Sequence, residues 1–419
     1  MNSGWGKPAG TPDRPDNQPA IAPETAQAVA RRLAYLREQL KTATAKADYA
    51  TQESTQREIV SLAAAVSGAD SPSTFVQRVG HVNVLLSLDQ PEALTEARSL
   101  ADRCLAVLGP GHEMTFHARD SLLQAMAARE SPVSVVDPAK AAFDDASRTF
   151  GRRSLITLRS QSTYARSLTM VGRFAESLDL CGELREAMSA FVTPDATVRA
   201  SIDMTHRLTL VAAGRFTEAL EKITAAAELM AKKYGTSHPS LHLFRVQHAQ
   251  LLNFLGDPHT AAAEARQAAD VFAAHFGPEH SNTLVAYVIE GRSLVALGKT
   301  AEAVDATRYA YEHLLWRWGR PHFHALTAGV ALCEALTADG RADESLGLAR
   351  VLAGQSLQEF GPEHHIPLTA RRRAAEALVA TGDVEQGRKE LAVSLADHIR
   401  VLGNDHPYTE RCRQAQPAA

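Results

Sequence analysis

The sequence repeats with a period of 42 residues, and this repeat constrains the fold more than any other feature. Residues 275–284 (HFGPEHSNTL) and 359–368 (EFGPEHHIPL) carry nearly the same turn 84 residues apart, which is two periods. One glycine column with this period comprises Gly109, Gly151, Gly235, Gly277, Gly319, Gly361 and Gly403, with Thr193 as its departure. A second column comprises Gly172, Gly214, Gly256, Gly298, Gly340 and Gly382. The chain has 25 glycines among 419 residues, so coincidence does not explain two such columns.

The segments between the glycines have the character of helices. Residues 281–297 and 301–318 lack internal proline and carry apolar residues at three- to four-residue spacing. Each would form a helix of about 25 Å that ends at the next glycine. Five positions after each glycine of the second column stands a small residue: Ser177, Ala219, Ala261, Ala303, Ser345 or Gly387. Because small residues let two helices approach closely, each unit is predicted to be an antiparallel helical hairpin. Eight hairpins are expected, with turns near Leu88, Glu130 and the six glycines of the second column.

The two ends and one turn depart from the pattern. Residues 23–66 are predicted to hold an N-terminal helical pair, a worn ninth unit with helices at 24–45 and 50–66. The solenoid then spans 67–410, and 411–419 form a short tail. Residues 1–22 contain regularly spaced prolines and are predicted to be an extended, disordered lead. In the second unit, residues 131–138 (SPVSVVDP) replace the tight turn with two prolines, so a bend or a loop is expected there.

The turn motif resembles that of a known family. The segments LGPGH (108–112), FGPEH (276–280 and 360–364), YGTSHP (234–239) and LGNDHP (402–407) are similar to the 42-residue tetratricopeptide repeats of kinesin light chains, above all to their actinobacterial relatives. The resemblance covers about residues 65–410. His81, Leu123 and Arg207 depart from it, because the family has a small residue there. It implies an all-α fold, a right-handed superhelical solenoid of about eight or nine hairpins, whose groove binds a protein or an extended peptide.

By that resemblance, the first helix of each unit lines the concave groove. Positions ten, six and three residues before the second-column glycine share one helix face. Six of the seven side chains at the middle position are long and polar, with Leu208 as the departure. A solvated helix face explains any one of them equally well, but a row of them suits recognition of a peptide backbone. The candidate groove residues, including neighbours on the same face, are Gln124, Arg166, Gln250, Asn253, Arg292, Glu334, Arg372 and Glu376.

Other kinds of site find little support in the sequence. Gly298-Lys299-Thr300 imitates the end of a phosphate-binding loop, but Ser293 stands where that loop needs glycine. A histidine column comprises His112, His238, His280, His322, His364 and His406. These histidines are interpreted as helix-start residues, because equivalent residues of adjacent units lie about 10 Å apart, too far to share a zinc ion. No catalytic motif occurs, so no enzyme activity, metal or cofactor is predicted.

The amino-acid composition limits the class of partner and the cellular compartment. A net charge of −4 and a pI near 6.5 argue against nucleic acid as the main partner. The basic run at residues 371–373 is interpreted as a solvated helix face. Four scattered cysteines favour a reducing, cytoplasmic environment, and no run of about 20 apolar residues predicts a membrane span. The sequence therefore predicts a cytoplasmic adaptor or scaffold without catalytic activity. A sensing module that acts with a separate effector protein is the alternative.

The C-terminal end is predicted to be a contact surface. The final complete helix, about residues 385–401, carries several apolar residues, and the segment after Gly403 is only about two helical turns long. Because a terminal repeat has no neighbour to cover it, apolar surface should stay exposed. A homodimer joined through this end, or a partner docked there, is expected. The alternative is that Tyr408 and the short segment fold back and cover the helix.

Overall fold

The computed structural model describes residues 23–191, 196–319 and 321–416, and the predicted lead at 1–22 lies outside these ranges. Within them the chain forms helices and no strands. The helices are α1 (Pro23–Lys46), α2 (Tyr49–Ser67), α3 (Pro72–Ser87), α4 (Glu92–Leu108), α5 (Glu113–Arg129), α6 (Val133–Phe150), α7 (Leu155–Met170), α8 (Phe174–Ser189), α9 (Ala196–Ala212), α10 (Phe216–Tyr234), α11 (Pro239–Leu255), α12 (Pro258–Phe276), α13 (Ser281–Ala296), α14 (Thr300–Trp318), α15 (Phe323–Ala338), α16 (Ala342–Phe360), α17 (His365–Ala380), α18 (Val384–Leu402) and α19 (Pro407–Gln414). Each helix packs on the next, so α1–α18 form nine successive hairpins.

Both glycine columns end helices, as predicted. Gly277 has φ 93° and caps α12, its N–H donating to the carbonyl of Ala273 at 3.0 Å. Gly298 has φ 74° in the turn between α13 and α14. Positive φ favours glycine because a Cβ is strained there. The first two hairpin turns lack glycine, and Ala47 (φ 53°) and Asp89 (φ 56°) adopt this conformation instead.

The small residues after the second glycine column lie between the two helices of each hairpin. Ser177, Ala219, Ala261 and Ala303 are all fully buried. At Gly387 an added Cβ would lie 2.6 Å from Cγ2 of Val379, so no larger residue fits without a shift. The prediction that these residues allow close helix approach is confirmed.

The bend or loop expected at 131–138 is wrong. Only Glu130–Pro132 connects α5 to α6, and α6 begins at Val133 with Pro138 inside the helix. Proline in a helix loses one backbone hydrogen bond. Here Val135 and Ala139 are buried on either side of Pro138, and that apolar burial stabilises the helix against the loss. At the C-terminus, α19 continues to Gln414, so it occupies part of the segment predicted to be a tail at 411–419.

The solenoid winds tightly enough for successive windings to touch. Nε2 of His238 lies 3.4 Å from the carbonyl oxygen of Thr44, 194 residues earlier, and Nε2 of His406 lies 3.2 Å from that of Ala212, again 194 residues earlier. Between them, Ser281 N–H donates to the Asp89 carboxylate at 3.3 Å. We call these the winding contacts. They join units more than four repeats apart. In each contact, the turn that connects two hairpins packs on the turn within a hairpin of the previous winding.

The winding contacts explain the histidine column. Each of its six histidines is the N-cap of the first helix of its unit, which we call an inner helix, and Nδ1 accepts a hydrogen bond from the backbone N–H two residues later. The prediction that they are helix-start residues is confirmed. Their exposure decreases along the chain: His112 is exposed, His238 is half-buried, and the later four are 1–6% exposed. Several also stack on the aromatic residue four positions before, as Phe360 does on His364 at 4.4 Å.

Candidate functional site

The predicted groove residues lie on the inner helices but in two separate groups. Gln124 on α5 donates a hydrogen bond to the Asp120 carboxylate at 2.9 Å. Arg166 on α7 lies near the same carboxylate, and burial lowers the pKa of its guanidinium. Asp120 also accepts a hydrogen bond from the Thr163 hydroxyl. This first group is therefore a small polar cluster centred on Asp120, apart from the second group.

The second group surrounds a cavity of about 120 Å³. Four predicted residues line it: Gln250, Asn253, Arg292 and Glu334. The rest of the wall consists of Phe254, Ile289, Val295, Ala296 and Arg411. We call it the inner cavity. Its walls come from four inner helices, α11, α13, α15 and α19. The repeat therefore brings equivalent positions of successive units to one place, as the row in the sequence predicted.

A network of ion pairs lies behind the inner cavity. Arg373 is paired with Glu334 and, at 2.8 Å, with Glu376, while Glu376 is also paired with Arg372. Burial alone would raise the pKa of Glu334, but the guanidinium groups of Arg373 and Arg292 overcome it and hold that pKa at about 2. Arg372 and Glu376 are thus occupied by each other and by Arg373. They support the cavity wall and are not free for a ligand.

The polar side chains that face the inner cavity differ in how many of their donors and acceptors form hydrogen bonds. The Asn253 amide donates to the Ile289 carbonyl at 3.3 Å and accepts from the Ser293 hydroxyl at 3.0 Å, so it fixes α11 to α13. In contrast, the side chains of Gln250 and Arg292 make no hydrogen bond to any residue the structure describes, and Nε of Arg292 is buried. These two side chains have donors available for a ligand.

Arg411 is a site residue that the sequence did not reveal. It donates to the Asn253 carbonyl at 3.1 Å, and its guanidinium carbon lies 3.9 Å from the centre of the Phe254 ring. Tyr408, one turn earlier on α19, packs edge-on against the same ring at 5.3 Å. The short last helix therefore folds back across the windings onto α11. No local pattern signals this, because Arg411 and Asn253 are 158 residues apart.

The interpretation of residues 371–373 as a solvated face is wrong for two of the three arginines. Arg371 is exposed and paired with Asp397 at 2.6 Å, as expected for a surface residue. Arg372 and Arg373 are only 3% and 9% exposed. Successive residues of a helix point about 100° apart. The run therefore crosses from the outer face of α17 to its buried side, where Glu334 and Glu376 compensate the charge.

Other reactive groups in the described part of the chain are shielded. The four cysteines are free and buried, and burial raises the pKa of Cys333 to about 12 and of Cys104 to about 11. Such thiols are not thiolates at neutral pH. Among residues 23–191, 196–319 and 321–416, no three histidine, cysteine or acidic side chains are close enough together to hold a metal ion.

Comparison with known proteins adds a likeness in fold. No protein-family model matches the sequence, and no curated protein is significantly similar to it. Among solved structures, a Rap protein complexed with competence and sporulation factor matches with a TM-score of 0.52 and 12% identity, over 86% of this chain and 99% of that one. A putative kinesin light chain with nearly identical TPR-like repeats from Podosopora anserina has a TM-score of 0.35 and 18% identity, over 58% and 95%. BtubC from P. vanneervenii has a TM-score of 0.37 and 14% identity, over 56% and 91%.

The hairpins and the likeness to the Rap structure together define the fold. The protein is an all-α solenoid of TPR-like helical hairpins. The superhelix handedness and the actinobacterial lineage stay predictions. Among the described helices, none is both long and apolar enough to traverse a lipid bilayer.

Proposed function

We propose that the protein is a non-enzymatic adaptor that binds a protein segment or extended peptide along its inner helices. The observation that carries this proposal is the inner cavity, where the side chains of Gln250 and Arg292 make no hydrogen bond to a described residue. Unsatisfied donors in a concave site are what a peptide's carbonyl and carboxylate groups require. Arg166 stands three repeats before Arg292 in the same row and extends the candidate surface toward the N-terminus.

Two further points support the proposal. The Rap protein of similar fold is in complex with competence and sporulation factor, so a solenoid of this kind accommodates a partner. The four free cysteines are also buried, and burial raises the pKa of Cys104 and Cys333, so these two thiols are poor nucleophiles at neutral pH. We place the adaptor in the cytoplasm, where buried free thiols are stable. The alternative is a peptide- or partner-sensing regulatory module that acts with a separate effector protein.

The proposal is tested by selecting binders from a random peptide library and measuring their affinity by calorimetry. A combined Arg166→Ala, Gln250→Ala, Arg292→Ala variant should bind the selected peptides at least about ten-fold more weakly, because charged hydrogen bonds are lost. Equal affinity of wild type and variant would exclude the inner row as the binding surface.

A matched control is available on the outer surface. Gln386, Lys389 and Arg400 are exposed residues of α18. Replacing these three by alanine removes one glutamine and two cations, the same change in net charge as the inner variant. It should leave peptide affinity unchanged. A loss of affinity in this control would mean that net charge, and not the inner row, determines binding.

A further inference from the structure

The surroundings of the inner cavity contain more positive than negative charge. Four guanidinium groups and two carboxylates make up the group: Arg292, Arg372, Arg373, Arg411, Glu334 and Glu376. The two carboxylates are already engaged by Arg372 and Arg373. The group therefore carries two more positive than negative charges, and Arg292 and Arg411 feel Glu334 but form no direct ion pair with it. Both side chains are half-buried, and a cation in such a site is stabilised when an anion pairs with it.

The state of Arg411 is consistent with that imbalance. Burial lowers the pKa of its guanidinium to about 10, and Arg292 acts in the same direction while Glu334 opposes it. Its contacts in the described chain are the Asn253 carbonyl and the face of the Phe254 ring, neither of which carries a full negative charge. An anion between Arg292 and Arg411 would relieve the repulsion between the two guanidinium groups.

The size and wall of the inner cavity limit what that anion can be. A volume of about 120 Å³ is well below the roughly 300–1,000 Å³ of a site for a whole small molecule. It suits one functional group of a larger ligand. Phe254, Ile289 and Val295 give the wall an apolar portion, which favours a carboxylate attached to methylene groups over a fully ionic phosphate.

We propose that the inner cavity is a carboxylate-binding site, in which Arg292 and Arg411 hold an acidic group of the bound peptide and Gln250 donates a further hydrogen bond. The source of the carboxylate is an aspartate or glutamate side chain or the C-terminus of the peptide. This identification of the ligand rests on the proposed function. Because Arg411 comes from α19, the site is complete only when the last helix lies against α11, and a bound carboxylate holds the two together.

A first experiment tests the cavity without any peptide. Protein labelled with ¹⁵N-arginine is titrated with succinate, with sodium chloride at matched ionic strength as the reference. The Nε signals of Arg292 and Arg411, assigned with Arg292→Lys and Arg411→Lys variants, should shift saturably with succinate and not with chloride. Arg292→Met should abolish the shift at Arg411. Arg371→Met, the same change at an exposed arginine of α17 outside the cavity, should preserve it. Absence of a saturable, succinate-specific shift would overturn the proposal.

A second experiment identifies the source of the carboxylate in a selected peptide. Peptides with each acidic residue replaced by its amide, or with an amidated C-terminus, are compared on wild type and on Arg292→Met. One replacement should weaken binding to wild type about ten-fold or more and have little effect on Arg292→Met. If the peptide replacements and Arg292→Met weaken binding independently and additively, the assignment of the carboxylate to this cavity is overturned, while the proposal of peptide binding stands. A succinate response without any selected peptide would instead contradict the proposed function alone.

Discussion

Nε2 of His406 lies 3.2 Å from the carbonyl oxygen of Ala212, although the two residues are 194 positions apart in the chain. The contact brings the turn before α19 against the turn between α9 and α10. At Gly214 in that turn, an added Cβ would lie 2.4 Å from Cδ of Pro407 and 3.0 Å from the His406 ring. Glycine is therefore required there both for its φ of 73° and for the close approach of the next winding.

We expect Gly214→Ala to destabilise the protein more than the same change at Gly298. Both glycines have positive φ, 73° and 74°, so both variants should lose about 1–2 kcal/mol from left-handed strain. No atom lies within 4 Å of a Cβ at Gly298, whereas at Gly214 the methyl group would displace Pro407 and His406. A further loss of about 1–3 kcal/mol is expected at Gly214 from this overpacking. Urea unfolding followed by circular dichroism measures both, and equal losses would show that the winding contact contributes nothing.

Stability should fall on mild acidification because the buried histidines must stay neutral. Burial lowers the pKa of His364 from 6.5 to about 3, and it also lowers the pKa values of His280 and His406. Between the unfolded and folded pKa values the unfolded chain binds more protons, so the folded state loses stability as pH decreases below about 6.5. His364 alone should cost about 2 kcal/mol at pH 5. Glu334 has a pKa of about 2 in the folded protein, so its contribution to stability is lost only as the pH falls below about 4.5.

The histidine contribution can be separated by substitution. His364→Asn keeps a side-chain acceptor at the N-cap but does not titrate, so thermal unfolding between pH 7.5 and 5 should show a shallower decline than in wild type. His112→Asn is the matched control for the capping change, because His112 is the equivalent N-cap in an exposed turn. An unchanged pH dependence in His364→Asn would mean that other groups cause the acid sensitivity.

Two neighbouring arginines of α17 should differ sharply in their effect on stability. Arg373→Ala leaves Glu334 and Glu376 without their common partner in a site where the Arg373 side chain is 10% exposed. Loss of one partner of a buried pair costs about 3–5 kcal/mol. Arg371→Ala removes a pair with Asp397 whose arginine side chain is 45% exposed, and should cost less than about 1 kcal/mol. Comparable losses in chemical unfolding would mean that the network around Glu334 does not stabilise the fold.

Zinc should not bind stoichiometrically at neutral pH. In each histidine of the column Nδ1 already accepts a backbone hydrogen bond, and in His238 and His406 Nε2 meets a carbonyl of the previous winding. Neither nitrogen of such a ring is available as a ligand. Calorimetric titration should therefore show no micromolar site. Uptake of one zinc ion per chain would mean that histidines of different turns converge on a metal.

The homodimer expected through the C-terminal end stays a prediction. Helix α19 packs on α18, and Leu391 is fully buried, but Val393 and Ile399 of α18 are 54% and 40% exposed. Light scattering should give about twice the chain mass for wild type and the mass of one chain for Val393→Glu, Ile399→Glu. Leu105→Glu, Val107→Glu is the control, since those residues are similarly exposed on α4. A monomeric wild type would rule out this dimer.

The hairpins could be predicted because their determinants are local. A glycine with positive φ, a small residue five positions later and apolar residues at helical spacing all act within one unit, so the sequence displays them directly. The same reasoning identified Gln250, Arg292 and Glu334 as neighbours on one surface, since a repeat places equivalent residues side by side. The loop expected at 131–138 was wrong because proline propensity was overridden by the burial of the residues around it.

The remaining features depend on how far the solenoid winds, which no single unit encodes. Contacts such as His406 with Ala212, or Arg411 with Asn253, join residues 194 and 158 positions apart. A small change of angle between units would bring different residues together. The same applies to Arg373, whose burial follows from the packing of α17 against α15 and not from its neighbours in sequence. A polar column that recurs in six units, as the histidines do, was the one available sign of contacts beyond the hairpin.

The winding contacts also change how disturbance spreads through the molecule. In a repeat array whose units contact only their neighbours, local unfolding spreads from one unit to the next. The end of such an array can unfold without affecting the middle. Here the turns at His238, Ser281 and His406 contact both their neighbouring units and the previous winding. Detachment of α19 and the turn before it uncovers Gly214, close to the centre of the chain, and releases Arg411 from α11 at the same time. Events at the C-terminus should therefore be felt at the inner cavity, without any signal having to pass through the units in between.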